Sequence, residues 1–254
     1  MVVAHLRAVN DHVDLYLDPE VAANYDRNHA DRFRPEDLEP TVERLRSLAD
    51  GGKTVEFAIG TGRVGLPLMD AGVEVHGIDL SEPMVAELRA KPGGADLPVT
   101  IGDMTRTVVG HDFSLAYLVF NTIGNVTTQA GQVACFENAA RHLRPGGRFV
   151  IECLVPILAS LPPGQTVAPF AVTEDYVGFD EYFDHVNQLH SSHHWRADGD
   201  HLRRVVGTFR WVWPSELDLM ARLAGMSLES RHADWVGSPF TGESTVHVSV
   251  WRKP

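Results

Sequence analysis

Glu56, Gly60, Gly62, Gly65 and Asp79 fall within one short stretch, TVEFAIGTGRVGLPLMDAGVEVHGIDL, at residues 54–80. Glycines at this spacing let a backbone approach a ligand closely, and a helix that starts just after them offers unpaired N–H groups. An acid at the far end of such a unit can accept hydrogen bonds from both hydroxyls of a ribose. The parts are those of an adenosine-binding turn. Further on, IGDM at 101–104 supplies Asp103, which could meet an adenine amino group, and Met104, whose flexible side chain could pack on the ring.

The elements needed to position these groups can be read nearby. Two apolar runs, 55–59 and 73–78, flank a segment with helical spacing at Val64, Leu66, Leu68 and Met69. That predicts a strand, a glycine turn, a helix and a second strand carrying Asp79 at its tip, with a third short strand ahead of IGDM. GTGRVG also satisfies the GxGxxG dinucleotide fingerprint, so NAD and S-adenosylmethionine both fit the glycines. Glu56 separates them. A pyrophosphate has no use for a carboxylate inside this strand, whereas the ammonium of a methionine moiety does; the competing reading is an edge-strand glutamate facing solvent. A buried carboxylate needs a partner. Some fifty residues precede the strand, including VAANYDRNHADRF at 21–33 and a helical run at 38–48 that could cover the pocket.

Five segments in order and register, VEFAIGTGRVG, GIDLS, IGDM, FSLAYLVFNTIGNV and HLRPGGRFVIE, resemble the class I S-adenosylmethionine-dependent methyltransferases. The resemblance implies an α/β fold: a Rossmann-like seven-stranded sheet with its last strand reversed and helices on both faces. It implies S-adenosyl-L-methionine as cofactor, held by Tyr25, Glu56, Gly60, Thr61, Gly62, Asp79, Leu80, Met84, Asp103, Met104 and Phe120. Within that set Gly60 and Gly62 face the methionine part, Asp79 the ribose, and Asp103 with Met104 the adenine. Tyr25, in NYDR, resembles the tyrosine that closes over the cofactor. Phe120 and Asn121 line the side where the methyl group leaves.

The remaining chain is expected to complete a single domain over 1–254. A helical cap occupies 1–50, the cofactor-binding half 51–155, an inserted β-hairpin lobe over the active site 156–213, and a helix with two strands completing the sheet 214–254. In detail, 113–119 reads as a buried strand, 133–143 as a helix, and Pro145-Gly146-Gly147 as the turn into strand 149–153. A helix at 214–224 is closed by Gly225; strands follow at 227–235 and 244–251, the last alternating polar and apolar residues. Within the lobe, 155–168 holds three prolines and reads as a loop. Strands at 183–195 and 202–213 are joined by Asp198-Gly199-Asp200, a turn signal. Such insertions build the acceptor pocket in small-molecule methyltransferases.

Methyl transfer asks mainly that nucleophile and methyl be close, aligned and dry. Aromatic faces favour a sulfonium; Tyr16, Tyr25 and Phe120 are the candidates. A hydroxyl acceptor is helped by a general base, whereas a neutral amine is not in need of one. Five of the thirteen histidines lie in the lobe. On one continuous strand His190 and His194 share a face with Val186, while His185 and His193 share the other with Leu189 and Trp195. His190 or His194 is the candidate base; Asp180, Glu181 and Asp184 lie nearby, but no metal set is assigned. FNTIGNV is similar to the matching segment of deoxyamino-sugar N-methyltransferases, where the residue at Asn125 is commonly a histidine that contacts the acceptor. Asparagine can hydrogen-bond a substrate but cannot act as a base. The reading therefore leans to O-methylation of a sugar or other natural-product intermediate, with Tyr16, Asn121 and Asn125 on the acceptor side. N-methylation of an amino sugar or amine is the alternative. An NAD(P)-dependent oxidoreductase and a non-catalytic cofactor-binding protein are the remoter ones.

Composition narrows the partners. The net charge is −12, only Lys53, Lys91 and Lys253 are lysines, and basic residues cluster no further than Arg141 with Arg144 and Arg203 with Arg204. Nucleic acid and anionic membranes are poor partners for such a surface; a small molecule is the expected substrate, and a homodimer is compatible. No basic-then-apolar leader is present, and no apolar run reaches membrane-spanning length. Cys135 and Cys153 read as unpaired core residues of a cytoplasmic protein.

Overall fold

The computed structural model describes residues 16–198 and 201–254. The first fifteen residues of the expected cap, and Gly199 and Asp200 of the expected turn, lie outside them. Two helices precede the sheet. α1 (Pro19–Asn28) is capped by Asp18, whose carboxylate accepts the Glu20 N–H at 2.8 Å, and α2 (Pro35–Ala49) opens with proline in its first turn. β1 (Thr54–Phe57), α3 (Gly65–Asp70) and β2 (Val75–Asp79) then form the glycine-turn unit. After it come α4 (Glu82–Arg89), capped by Ser81, then β3 (Val99–Ile101) and β4 (Phe113–Leu118). α5 (Gln129–His142), capped by Thr128, leads into β5 (Leu143–Leu154).

Next follow β6 (Val167–Val172), β7 (Tyr176–Asp184), β8 (Leu189–Asp198) and β9 (His201–Arg210), a separate four-stranded antiparallel sheet. α6 (Pro214–Leu223), β10 (Ser227–His232) and β11 (Val246–Arg252) return to the main sheet. Its order is β10-β11-β5-β4-β1-β2-β3, with β11 antiparallel to both neighbours and the other central pairs parallel. This is the Rossmann-like sheet with a reversed last strand that the motif order implied.

Alternation along the strands assigns the two faces. Val55, Phe57, Ala116 and Leu118 pack with Phe136, Phe149, Leu217 and Trp251 under α5 and α6. Leu115 and Tyr117 face the other way, with Leu45, Leu68 and Leu88 from α2, α3 and α4. Both faces are covered, so β1 and β4 are buried at every position, as central parallel strands are. Glu56 therefore sits in a central strand, opposite Gly77 of β2 and Tyr117 of β4, and the edge-strand reading falls.

The lobe departs most from expectation. Its 183–195 stretch is two strands, not one. Asp184 ends β7 by accepting the Val186 and Asn187 N–H groups at 3.0 and 2.9 Å, and Gln188 adopts a left-handed backbone (φ 61°). This aspartate turn has neither glycine nor proline to announce it. His185 and Val186 consequently lie in the turn, so Val186 shares no face with His190 and His194. The expected loop at 155–168 gives way to β6 at Val167, and the predicted strand at 202–213 ends at Arg210. Likewise the 227–235 strand stops at His232, where Asp234 turns the chain by accepting the Ser238 N–H at 2.9 Å.

Arg210, at the end of β9, ties the lobe to the helices α5 and α6 that pack on the main sheet. Its guanidinium is only 3% exposed and donates to Gln132 of α5, to Gln188 before β8 at 2.7 Å, and to Glu216 of α6 at 2.7 Å. Breaking a buried ion pair on one side strands the other charge. Arg210→Met should therefore cost about 3–5 kcal/mol in a urea or thermal unfolding measurement. Wild-type stability in this variant would mean that the lobe is anchored elsewhere.

Candidate active site

A cavity of about 660 Å3 opens where β1, β2 and β4 end, the place where open α/β sheets bind ligands. Ala58 and Gly60 contribute the glycine turn, and Asp79 to Ser81 with Met84 the tip of β2 and the start of α4. Gly102 to Thr105 close a third side. Beyond β4 the wall is Phe120, Thr122 and residues 125–128, and β9 adds Val206, Gly207, Thr208 and Phe209. Tyr16, Leu17 and Tyr25 come from the segment and helix ahead of the sheet. The volume lies within the range of small-molecule sites.

The chain leaves β1 with Ala58, Gly60 and Gly62 all at positive φ. A side chain at Gly60 would meet nothing within 4 Å; the open space is the cavity itself. Gly65 has the opposite reason to be glycine, since a Cβ there would stand 2.8 Å from both the Glu56 Oε2 and the Ile59 Cδ1. Asp79 clasps the turn. Its Oδ2 accepts the Gly60 N–H at 2.6 Å and its Oδ1 the Ser81 N–H at 2.7 Å. Burial pushes its carboxyl upward, and the two N–H groups oppose that shift. Each oxygen retains acceptor capacity for a hydroxyl.

Glu56 lies beneath the turn and does not line the cavity. It is 2% exposed, and the Tyr117 hydroxyl donates to its Oε2 at 3.0 Å. Burial raises its pKa to about 8, partly offset by Tyr117 and by the Arg63 charge. Thr61 and Gly62 also lie outside the lining. The Thr61 hydroxyl donates to Asp26 of α1 at 2.6 Å, and Lys91 donates to the Thr61 carbonyl at 2.7 Å while pairing with Asp26. Thr61 thus latches α1, placing its neighbour Tyr25 at the cavity. The Tyr25 hydroxyl is pushed well above its ordinary pKa by burial. A second latch is Ser81, whose hydroxyl donates to the Tyr16 carbonyl at 2.5 Å.

Of the remaining expected residues, Leu80, Met84, Asp103, Met104, Phe120, Tyr16 and Asn125 all line the cavity. Asp103 spends its Oδ1 on the Thr105 N–H and hydroxyl, at 2.8 and 2.7 Å. Phe120 has the edge of His29 at 5.6 Å and the guanidiniums of Arg32 and Arg63 at 5.5 and 5.3 Å from its ring. Asn121 turns away from the lining, and its Oδ1 accepts the Leu154 N–H and the Cys153 thiol at 3.1 Å each.

His190 and His194 stand outside the lining too. His190 is stacked between Tyr182 and Phe209 (5.2 and 5.6 Å) and is 9% exposed, and its Nδ1 has no hydrogen-bond partner. His194 shares a hydrogen bond with the Tyr176 hydroxyl at 2.7 Å and another with Ser192 at 3.2 Å. Burial, helped by Arg196, lowers its pKa to about 4. Both imidazoles are neutral near pH 7, and His194 is too weak a base for efficient proton transfer there. Among the described residues no three His, Cys, Asp or Glu side chains group to hold a metal ion, and no helix is long and apolar enough to cross a membrane.

The sequence reading expects the lobe over the site but names none of the wall residues at Thr122, 126–128 and β9. One signal was available: Gly207 lies mid-strand, where a missing side chain marks a close approach.

Comparison with known proteins agrees with this geometry. Residues 55–147 match the family described as a methyltransferase domain. The solved CcbJ methyltransferase from Streptomyces caelestis is 34% identical, with a TM-score of 0.84, and the match covers 95% of this chain and 99% of that one. The cypemycin N-terminal methyltransferase of a Streptomyces species is 25% identical over 206 residues, 80% of this chain and 84% of its own. The dTDP-3-amino-3,6-dideoxy-alpha-D-glucopyranose N,N-dimethyltransferase of Streptomyces fradiae is 31% identical over 138 residues, 52% of each chain.

The buried Glu56 sets a pH signature. Its folded pKa of about 8 exceeds the unfolded value of 4.5, so between these the folded state holds a proton that the unfolded state releases. That contribution is complete below pH 4.5 and is lost as pH rises to 8. Without cofactor, the protein should lose up to about 1.4 kcal/mol per pH unit across this window relative to Glu56→Gln. Paired denaturant titrations read the difference; a flat one would mean the carboxyl is already ionised.

Proposed function

The chain belongs to the class I S-adenosylmethionine-dependent methyltransferases and methylates a small molecule, and on that premise we propose that the accepting atom is an amine nitrogen. The observation that carries this reading is the acceptor wall. Thr122, Asn125, Thr127, Thr128 and Thr208 offer hydroxyls and an amide, and no histidine stands among the lining residues. A hydroxyl acceptor would call for a base that this wall lacks, whereas a neutral amine attacks without one. Two relatives carry N-methylation in their names, the cypemycin N-terminal enzyme and the Streptomyces fradiae aminosugar N,N-dimethyltransferase. The leaning towards oxygen drawn from Asn125 and the lobe histidines weakens accordingly.

The cofactor fits the residues present. Asp79 has acceptor capacity for ribose hydroxyls, Gly60 leaves open space at the turn, and the Glu56 carboxyl, poised to ionise, suits a nearby ammonium. Asp103 and Met104 would take the adenine, with Leu80 and Met84 beside the nucleoside. When bound, S-adenosylmethionine supplies a methyl group activated by a sulfonium. Tyr25 and Tyr16 cover the cavity and exclude water, and Phe120 forms the wall on the methyl side. Asn125 and the threonines orient the amine. Oxygen stays a second reading because of one observation: the unpartnered Nδ1 of His190 lies directly behind Phe209 of the wall.

Thermal-shift measurements should show stabilisation by S-adenosylhomocysteine and none by NAD. Asp79→Ala should weaken S-adenosylhomocysteine about tenfold or more, because a charge-assisted contact is lost and the glycine turn loosens; unchanged affinity would refute the placing of the ribose. With labelled S-adenosylmethionine, a panel of amino sugars and matched hydroxy sugars should yield methylated amines. Label appearing only in the hydroxy compounds would sink the amine reading, and His190→Gln would then be the variant expected to slow turnover.

A further inference from the structure

The chain leaves β4 through two consecutive non-glycine residues in the left-handed conformation, Phe120 (φ 59°) and Asn121 (φ 57°). Asparagine tolerates this backbone, but phenylalanine does not adopt it unless its surroundings impose it. One residue of the neighbouring strand holds both. The Glu152 Oε2 accepts the Phe120 N–H at 2.8 Å, and the Glu152 main-chain carbonyl accepts the Asn121 N–H at 3.1 Å. Asn121 replies by accepting the Leu154 N–H, so the turn and the end of β5 are tied in both directions. The second carboxylate oxygen of Glu152, Oε1, accepts the Trp235 indole N–H at 3.2 Å. Behind Phe120 lies a second pocket of about 260 Å3, bounded by Arg32, Arg63, Glu152 and Trp235. The Phe120 ring is thus the partition between two spaces, and its backbone conformation decides where it stands.

We propose that Glu152 is a positioning residue for methyl transfer, accepting one N–H from Phe120 and one from Trp235 so that the left-handed turn holds the Phe120 ring against the methyl side of the cavity. The inference rests on the placing of Phe120 under the proposed function. Only a carboxylate satisfies this geometry, because both groups facing it are donors. A glutamine offers a single oxygen and turns its NH2 against whichever donor is left. Removing the indole N–H lifts that conflict.

The test compares affinities for S-adenosylmethionine and S-adenosylhomocysteine by calorimetry. An aromatic face favours a sulfonium over a neutral thioether, so the ratio of the two affinities reports the position of the ring, while general loosening lowers both together. Phe120→Leu and Glu152→Gln should each shift the ratio against S-adenosylmethionine by about threefold or more. Trp235→Phe should shift it less than Glu152→Gln, and the double variant Glu152→Gln/Trp235→Phe should recover most of the wild-type ratio. A wild-type ratio in Glu152→Gln, or no recovery in the double variant, overturns the assignment and leaves the placing of Phe120 intact. No change in Phe120→Leu overturns both. Failure of the wild-type protein to bind either ligand would count against the methyltransferase reading itself.

Discussion

The hydrogen bonds to the Asp79 carboxylate are the constraint on which the cofactor end of this fold depends. The parallel sheet buries both faces of β1 and β2, so the polar groups at their ends have few partners other than one another. Asp79 takes one N–H from the glycine turn after β1 and one from the start of α4. A single side chain thereby sets the separation of two loops and the entry of a helix, and keeps lone pairs directed at the cavity. The latches then follow outward from that frame. Ser81, fixed by Asp79, holds the Tyr16 carbonyl, and Thr61 of the same turn holds Asp26. The covering segment is in this way registered against the glycine turn and the tip of β2.

The cavity wall beyond β4, assigned to the acceptor under the proposed function, is built differently. It comes from the segment after β4 and from β9, which are far apart in sequence. They are held together by Gln132, which donates to the Ile123 and Arg210 carbonyls, and by Arg210, which ties β9 to α5 and α6. A buried guanidinium is poor evidence for net stability. Its value here is geometric, since three polar partners from three elements admit few alternative arrangements of the lobe. Shape on this side depends on long-range contacts, whereas on the cofactor side it depends on one local unit.

That difference explains what could be read from the chain alone. The glycine turn, Asp79, and Asp103 with Met104 carry their geometry in short segments, and Gly60, Asp79, Asp103 and Met104 line the cavity, whereas Thr61, Gly62 and Gly65 do not. The position of Thr61 in the turn implies a place at the cofactor, but a partner distant in sequence, Asp26, claims its hydroxyl. Asn121 was placed on the acceptor side by its neighbour Phe120, yet two successive left-handed residues direct its amide into β5 instead. The lobe reads as one hairpin because the Asp184 turn carries no glycine or proline, and the pairing of β7 with β6 leaves no mark in local periodicity. Strand pairing is a property of the whole chain, so residues that owe their place to it, Thr208 and Phe209 among them, were invisible.

The charges around Phe120 bear on the chemistry of the acceptor. Asp79 and Asp103 line the cavity and Glu56, its pKa raised to about 8, lies beneath the turn, whereas Arg32 and Arg63 stand over the Phe120 ring. His29 reports the local field: burial drives its pKa down first, and Arg196 and Arg63 add to the fall against the opposing pull of the Tyr25 carbonyl and Asp31. An amine lodged near the same ring would meet the same two effects, desolvation and nearby positive charge, and both favour its neutral form. The neutral amine is the nucleophile. Under the proposed amine acceptor, a site that discourages protonation would perform the part a general base otherwise plays, and the threonines and Asn125 of the wall would be sufficient to aim the nitrogen.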